Sequence, residues 1–540
     1  MFGAGFYWPV LNFLSGSNPL QPAESFLQWK FFKEFLSDPW NLQVIGFSFY
    51  QAFLSALLSI LVGIPGAWLL THYNFPGQRW FRLLTFLPFI LPSILVVLAM
   101  VLFYGNNGWI NRGLMALMGT DEPPIHFLYS LPGILIAHVF YNFPLAMKII
   151  ADQWEKISQK YLQAACSLGA GSTRRFFGIT LPLLLPSIGS AFVLIFLLCM
   201  NSFAIILVLG GGLRYTTIEV LIYQLARIDL NFSGAASLAF LQGGLSLIGM
   251  AVLLNNKERR VEQKWVNKIW LPEKLRSFSL KAWLGLCWIL LLMIFALGPL
   301  VAIVLDSFRK FDNGEWIYTW FWYAELFSMS ENNHFLSSLW NSLQIGFGSA
   351  LISSFSGLGL VSLIASQKGG RRRFWEIFAL FPIVLSTVVF GVAWFHFFQE
   401  QFAGSVPLIF VVMTMHALLT CPYWIRVVLP SLESIPQQWH IESKMLGKHA
   451  FEYGFRIMWP WLRKTFLIAF FFSFSLSLGE LNSTMMIADE TVRTLPLEIY
   501  GAISGYRFSY ASAVAVILLL LSVLTFLLVE RSVGRFGLQK

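Results

Sequence analysis

Eleven runs of about 20 mainly apolar residues recur along this chain, near 43–71, 82–104, 130–150, 187–210, 233–254, 282–305, 340–366, 374–398, 406–430, 465–488 and 510–529. A run of that length crosses the hydrocarbon core of a bilayer as one α-helix. The runs are continuous and do not alternate with period two, so spanning helices are required and barrel strands are excluded. Composition agrees, with 57% hydrophobic and only 12% charged residues and Phe alone at 53 positions, a balance foreign to soluble domains. The expected fold class is an all-α integral membrane protein with about 11–12 transmembrane helices. Residues 1–40 hold only a short apolar opening, Phe2 to Leu14. Either the chain starts outside or a first helix is missing, and no signal-peptide pattern is present.

A net charge of +10 raises nucleic acid as a partner, but the basic residues sit where cytoplasmic loops fall and give the positive-inside pattern instead. Arg79 and Arg82, the connector Lys257–Lys281 with eight Lys or Arg, the cluster Lys368–Arg373 and the tail with Arg531, Arg535 and Lys540 share one side. Loops on the other side carry Asp121 and Glu122, or Asp306, Asp312, Glu315, Glu325 and Glu331. This alternation puts the C-terminus in the cytoplasm. Trp316, Trp320, Trp322 and Tyr323 in the outer segment 307–338 suit a membrane-surface aromatic belt, with lipid as their partner. Cys166, Cys199, Cys287 and Cys421 lie in or beside apolar segments or on the cytoplasmic side and are expected to pack rather than to form disulfides.

The chain is also written twice. His138, Pro144, Lys148, Glu155, Ile157, Gly169, Ile179 and Pro182 return without a gap, 278 residues later, as His416, Pro422, Arg426, Glu433, Ile435, Gly447, Ile457 and Pro460. Thr217, Ile222 and Tyr223 return as Thr494, Ile499 and Tyr500 at a spacing of 277. Two pseudo-symmetric halves are expected, 1–254 and 282–540, joined by a basic cytoplasmic connector at 255–281. Both copies lie on the same membrane side, which calls for a pseudo-two-fold axis along the membrane normal and a path between halves.

Between two spanning runs of the first copy stands Gln163-Ala164-Ala165-Cys166-Ser167-Leu168-Gly169, followed by Ile179-Thr180-Leu181-Pro182. Small residues admit a partner helix, Gly169 allows a bend where a side chain would clash, and Pro182 starts the next helix. A short helix, a turn and a second helix form a docking peg. This loop resembles that of the permease subunits of ATP-binding-cassette importers, whose form is Glu-Ala-Ala, three residues, Gly, nine residues, Ile, one residue, Leu-Pro. Gln163 stands for Glu, while Ala164, Ala165, Gly169, Ile179, Leu181 and Pro182 match. The second copy departs further, with Ile441, Glu442 and Ser443 at the opening and Trp459 for Leu, yet Gly447, Ile457 and Pro460 remain.

The resemblance covers nearly the whole chain and implies a type I importer permease of the bacterial inner membrane. It implies a homodimeric ATPase gripping both loops, carrying the ATP and Mg²⁺, and a soluble solute-binding protein on the outer side. Two fused halves resemble the thiamine and ferric-iron importer group, and phrases such as Leu209-Gly210-Gly211-Gly212 with Thr216-Thr217-Ile218-Glu219 are similar to thiamine permeases. Thiamine, its phosphates and ferric iron all remain open as solutes. The residues themselves agree that this chain is no motor: Gly210–Gly212 belong to no G-x-x-x-x-G-K-[ST] sequence. No catalytic residue, metal site or bound cofactor is expected here.

For the path, the polar residues at the far ends of two spanning runs stand out: Asn201 and Ser202 in the first copy, Glu480 and Asn482 in the second. An ionisable group at membrane depth faces a cavity or a partner, so Glu480 lines the path or makes a structural hydrogen bond. His138 and His416 are expected to make helix-packing hydrogen bonds, because no further ligands gather beside them. Arg174, Arg175, Lys448, Arg456, Arg463 and Lys464 suit either acids on an ATPase or positive-inside anchoring. The alternative reading is a secondary transporter driven by an ion gradient, which needs membrane carboxylates that are scarce here.

Overall fold

The computed structural model describes residues 37–258, 273–274, 280–328, 334–380, 382, 385–402, 405–447 and 449–537. The apolar opening Phe2 to Leu14, most of the basic connector, Lys448 and Lys540 lie outside them. Among the described residues nine helices are long and apolar enough to span a bilayer: Pro39–His72, Ser93–Met118, Leu131–Trp154, Ser172–Met200, Trp283–Asp306, Phe335–Ser366, Leu408–Glu433, Gly454–Leu478 and Phe508–Val529. Two of the eleven expected runs appear as shorter apolar helices, Gly234–Gly249 and Thr387–Phe398.

Local chemistry explains the differences. The run expected at 82–104 is divided because Leu91, which precedes Pro92, is forced out of the helical region to ψ 147° and ends helix Gln78–Ile90. The run at 374–398 is also divided, into Gly369–Leu380 and Thr387–Phe402, with Pro382 between the two helices. Those at 187–210 and 465–488 stop as helices at Met200 and Leu478 and resume as short helices at Ala204 and Asn482. Among the described residues strand is confined to two small pairs. One is a hairpin, Arg309–Asp312 with Glu315–Tyr318, turned by Asn313 and Gly314 at φ 49° and 88°, the two left-handed residues of a type I′ turn.

The sequence repeat is also a repeat of secondary structure. Helices Gln159–Ser167, Ser172–Arg175, Leu181–Met200 and Ala204–Leu209 are matched by Gln437–Met445, Ala450–Tyr453, Trp459–Leu478 and Asn482–Ile487, with every boundary displaced by 278. The π-helical turns Phe176–Thr180 and Gly454–Met458 keep the same displacement.

Packing divides the described residues into two compact units, and their limits differ from the expected sequence halves. One unit contains Lys33–Leu221 and Leu241–Asp306; the other contains Ile222–Phe240 and Ser307–Lys540. Helix Leu280–Asp306, which follows the basic connector, therefore packs with first-repeat helices. Its Phe295 meets the buried rings of Phe140 and Phe143 with centroids 5.7 and 5.6 Å apart. At Gly298 an added Cβ would stand 2.7 Å from the Phe103 ring, so the chain closes on its neighbour where the side chain is missing.

Each unit has a keel helix with a face of small residues, which lets helices approach closely where lipid tails give no hydrophobic drive. In the first unit Pro39–His72 buries Ala52, Ser55, Ala56, Ser59 and Gly63 as it packs on Leu131–Trp154 and Leu181–Met200. In the second, Phe335–Ser366 buries Ser342, Gly346, Ser349, Ala350, Ser353 and Gly357 against Leu408–Glu433 and Trp459–Leu478. The four cysteines are free: Cys199 and Cys421 are buried, whereas Cys166 and Cys287 are exposed and do not pack as expected.

At Gly357 the second keel closes on a rigid ring, because a Cβ there would lie 2.3 Å from the fully buried Trp424. Gly357→Leu is expected to lower stability by about 1–3 kcal/mol through overpacking, read as a fall in melting temperature of the detergent-purified protein. Gly359→Ala, two residues on where nothing stands within 4 Å, is the control and leaves it unchanged or raised.

Candidate functional site

The two repeated loops are built alike from the backbone outward. In the first, helix Gln159–Ser167 ends with Gly169 at φ +80°. The Gly169 N–H donates to the Cys166 carbonyl at 2.9 Å and the Ala170 N–H reaches back to Ala165 at 2.9 Å, the pair of bonds that closes a Schellman turn. Gly447 has φ +69° at the matching place after helix Gln437–Met445. Nothing lies within 4 Å of a Cβ at either glycine. The expected clash is absent, and the requirement is the left-handed backbone itself, which costs an L-residue about 1–2 kcal/mol.

Around these turns Gln163, Ala164, Glu442 and Ile441 are exposed, and so are the large apolar side chains Tyr161, Leu168, Met445 and Leu446. Ala165 and Ile179 are half-buried, Pro182 and Pro460 are exposed in the first turns of their helices, and Ser443 is buried. Beside the second turn lies a cleft of about 500 Å³ bordered by Trp439, Glu442, Leu446, Arg456, Ile457 and Trp461. Exposed apolar groups rimmed by polar ones mark a surface that meets another molecule. No interruption separates either loop from its long helix: Ser172–Arg175, the π turn and Leu181–Met200 run on as one rod. Behind each loop an ion pair braces the end of the preceding helix, Arg82 with Glu155 at 2.8 Å in one copy and Arg372 with Glu433 in the other.

At the far end of each rod the helix breaks, and the polar residues expected in the path are found in the breaks. Asn201 Oδ1 accepts from Gln242 Nε2 at 2.7 Å, and the same amide reaches the fully buried Glu219 Oε1 at 3.1 Å. Ser202 Oγ meets His138 Nε2 at 2.9 Å, while His138 Nδ1 meets Ser55 Oγ at 3.0 Å. In the second copy Glu480 Oε1 accepts from the Ser483 N–H at 3.0 Å and its hydroxyl at 3.1 Å, capping the short helix Asn482–Ile487, and Asn482 Nδ2 donates to Thr387 Oγ1 at 3.1 Å. His416 joins Ser477 Oγ at 2.7 Å to Thr484 Oγ1 at 2.8 Å. Both histidines are 1% exposed with both ring nitrogens occupied, as packing hydrogen bonds require.

Sequence reasoning gave no site role to Glu219, which it quoted only within a family-like phrase, or to Gln242, Glu498 or Tyr510. Glu498 is buried and accepts from the Tyr510 hydroxyl at 3.0 Å. Their signal was a polar residue inside an apolar stretch, for Glu219 and Glu498 close to the repeated Thr217 and Thr494. The segments after the breaks are pinned alike, Ser48 Oγ accepting from the Ile218 N–H at 2.9 Å and Ser342 Oγ from the Leu495 N–H at 2.7 Å. Burial, and then the neighbouring Tyr500, raise the pKa of the Tyr223 phenol. Burial works against the Asp489 carboxylate, yet hydrogen bonds from Thr491 and Val492 outweigh it and hold its pKa below the usual aspartate range.

His416→Phe would leave the Ser477 and Thr484 hydroxyls buried without this partner, at about 1–3 kcal/mol. The expected outcome is a lower melting temperature, partly recovered by adding Ser477→Ala and Thr484→Val. An unchanged melting temperature would remove the histidine from the structural framework.

Comparison with known proteins places this architecture. Residues 57–265 match the family described as binding-protein-dependent transport system inner membrane component. The thiamine transport system permease protein of Brucella abortus is 28% identical over 498 residues, 92% of this chain and 88% of that protein. That of Escherichia coli is 28% identical over 510 residues, 92% of this chain and 90% of that protein. A solved bacterial ABC transporter involved in import of the acidic polysaccharide alginate aligns at 17% identity and a TM-score of 0.39, covering 48% of this chain and 90% of that one. The permease-family match thus lies inside a duplicated, multi-pass helical chain that is similar to thiamine transport system permeases along 92% of its length.

Proposed function

We propose that this chain is the membrane permease of a thiamine importer, receiving thiamine or its phosphates from a soluble binding protein on the outer face. The two subunits of a homodimeric ATPase grip the cytoplasmic loops centred on Gly169 and Gly447 and supply ATP and Mg²⁺, while the C-terminus lies in the cytoplasm. The observation that carries the solute is the similarity to thiamine permeases along 92% of the chain. Nothing comparable favours ferric iron.

The rods give the loops their mechanical role. Leu181–Met200 and Trp459–Leu478 are each 20 residues, about 30 Å at 1.5 Å per residue. A displacement imposed on a loop by closing of the ATPase pair travels along a continuous helix to the break at Asn201 or Glu480, where hydrogen-bonded side chains can exchange partners. In this reading Gln163, Ala164, Ala165, Gly169, Ile179 and Pro182 form the first contact, and Glu442, Ser443, Gly447, Ile457 and Pro460 the second. Asn201, Ser202, Glu480 and Asn482 border the path. The unequal openings, Gln163-Ala164-Ala165 against Ile441-Glu442-Ser443, give the two ATPase copies unequal grips.

Uptake of labelled thiamine by a transport-deficient bacterium, restored when this chain is expressed with its ATPase and binding protein, tests the solute. Absence of uptake with all three subunits present in the membrane would reject it. The double variant Gly169→Val, Gly447→Val forces two β-branched residues into left-handed turns. It is expected to abolish co-purification with the ATPase and to cut uptake at least tenfold, while the protein still reaches the membrane.

A further inference from the structure

A cavity of about 480 Å³ opens in the unit that contains Ile222–Phe240 and Ser307–Lys540. Its wall from Met485 to Arg507 follows helix Trp459–Leu478, whose start carries the second loop. The cavity thus lies beyond the end of that helix remote from the loop. Tyr223 and Tyr500 both line it, and these are partners in the repeat, 277 residues apart. Equivalent residues from both repeats in one cavity fit a route used by the whole chain better than a surface crevice of one half.

Three arginines, Arg227, Arg493 and Arg507, share the lining. None is ion-paired with a carboxylate among the described residues. Arg227 lies over the Phe395 ring at 5.4 Å and Arg507 over the Tyr510 ring at 4.9 Å. Arg493 is engaged through its carbonyl, which accepts from Asn341 Nδ2 at 3.1 Å. Two of the cavity's carboxylates are already occupied: Asp489 accepts from the Thr491 N–H at 2.8 Å and its hydroxyl at 2.6 Å, and Glu498 accepts from Tyr510. Glu490 is exposed. The guanidinium groups keep their donors available, next to two phenol rings.

We infer that this cavity binds the anionic end of a small aromatic solute, with Arg227, Arg493 and Arg507 as oxyanion contacts and Tyr223 and Tyr500 flanking its ring. Guanidinium forks suit phosphate oxygens, and phenol rings offer flat faces to a heterocycle. The inference rests on the reading of the chain as a thiamine permease and adds a consequence: the permease itself distinguishes phosphorylated from unphosphorylated solute.

Two measurements test it separately from that reading. The full chain, purified in lipid nanodiscs, is titrated with inorganic pyrophosphate, thiamine monophosphate and thiamine; uptake of the last two is measured in cells with all subunits. Wild type is expected to bind pyrophosphate and to prefer the monophosphate over thiamine. Arg227→Gln with Arg493→Gln should weaken monophosphate binding and uptake at least tenfold and leave thiamine within twofold, and Arg493→Lys should restore part of the loss. No binding of pyrophosphate or monophosphate by wild type, or equal losses for both solutes in the double variant, overturns the inference. If wild type takes up neither solute yet binds pyrophosphate in an arginine-dependent way, the thiamine reading falls and the anion site stands.

Discussion

Within hydrocarbon an unpaired backbone N–H or C=O costs several kcal/mol, and the architecture of this protein follows from where that requirement is met by helix and where it is not. Regular helix answers it along most of each spanning segment. At Asn201–Phe203 and Gly479–Leu481, just past the ends of two spanning helices, the ladder is interrupted and side chains take over. Glu480 accepts from the Ser483 amide at the start of Asn482–Ile487, and the amides of Ile218 and Leu495 find the hydroxyls of Ser48 and Ser342. The serines belong to the keel helices, so the same small-residue faces that permit close packing also supply acceptors for non-helical backbone.

That double use explains why polar residues concentrate where they do. In one unit Gln242 bonds to Glu219 and Asn201, and the next residue, Ser202, bonds through His138 to Ser55. His416, Ser477 and Thr484 form a shorter relay in the other. Such relays are worth most where water is excluded, and they leave a heavy penalty if only half made. A break held in this way is defined in each arrangement its partners allow, which a flexible loop would not be.

Much of this was legible in the sequence because its determinants are local. Helical class follows from continuous apolar runs, and the loops follow from a glycine at fixed spacing that must turn left-handed. The repeat at 278 extends to individual helix boundaries. What escaped was set by longer-range packing or by chemistry that resembles core. Leu91-Pro92 cuts one apparent span and Pro382 stands between the two helices of another, signals readable in principle. The association of Leu280–Asp306 with first-repeat helices depends on Phe295 fitting between Phe140 and Phe143 and on the gap at Gly298, and no periodicity encodes it. The hairpin at 309–318 announces itself only through Asp312-Asn313-Gly314-Glu315, easily lost among aromatic residues that suit a membrane belt. Glu219 and Gln242 sit in strongly apolar stretches, where a single polar side chain does not disclose its partner.

The two repeats share their helix boundaries from Gln159 to Leu209 and from Gln437 to Ile487, yet their breaks are held by different chemistry. The first borrows an amide, Gln242, from a helix that follows later in the chain. The second holds an amide locally, Glu480 bonding to Ser483 three residues on, and takes a hydroxyl, Thr387, from a helix earlier in the chain. A borrowed contact responds to movement of the helix that lends it, whereas a local cap travels with its own segment. Equal displacements at the two loops would therefore have unequal consequences at the two breaks. The asymmetry lies in the hydrogen bonds at the far ends of the rods, and the near-identity of the rods is what makes it effective.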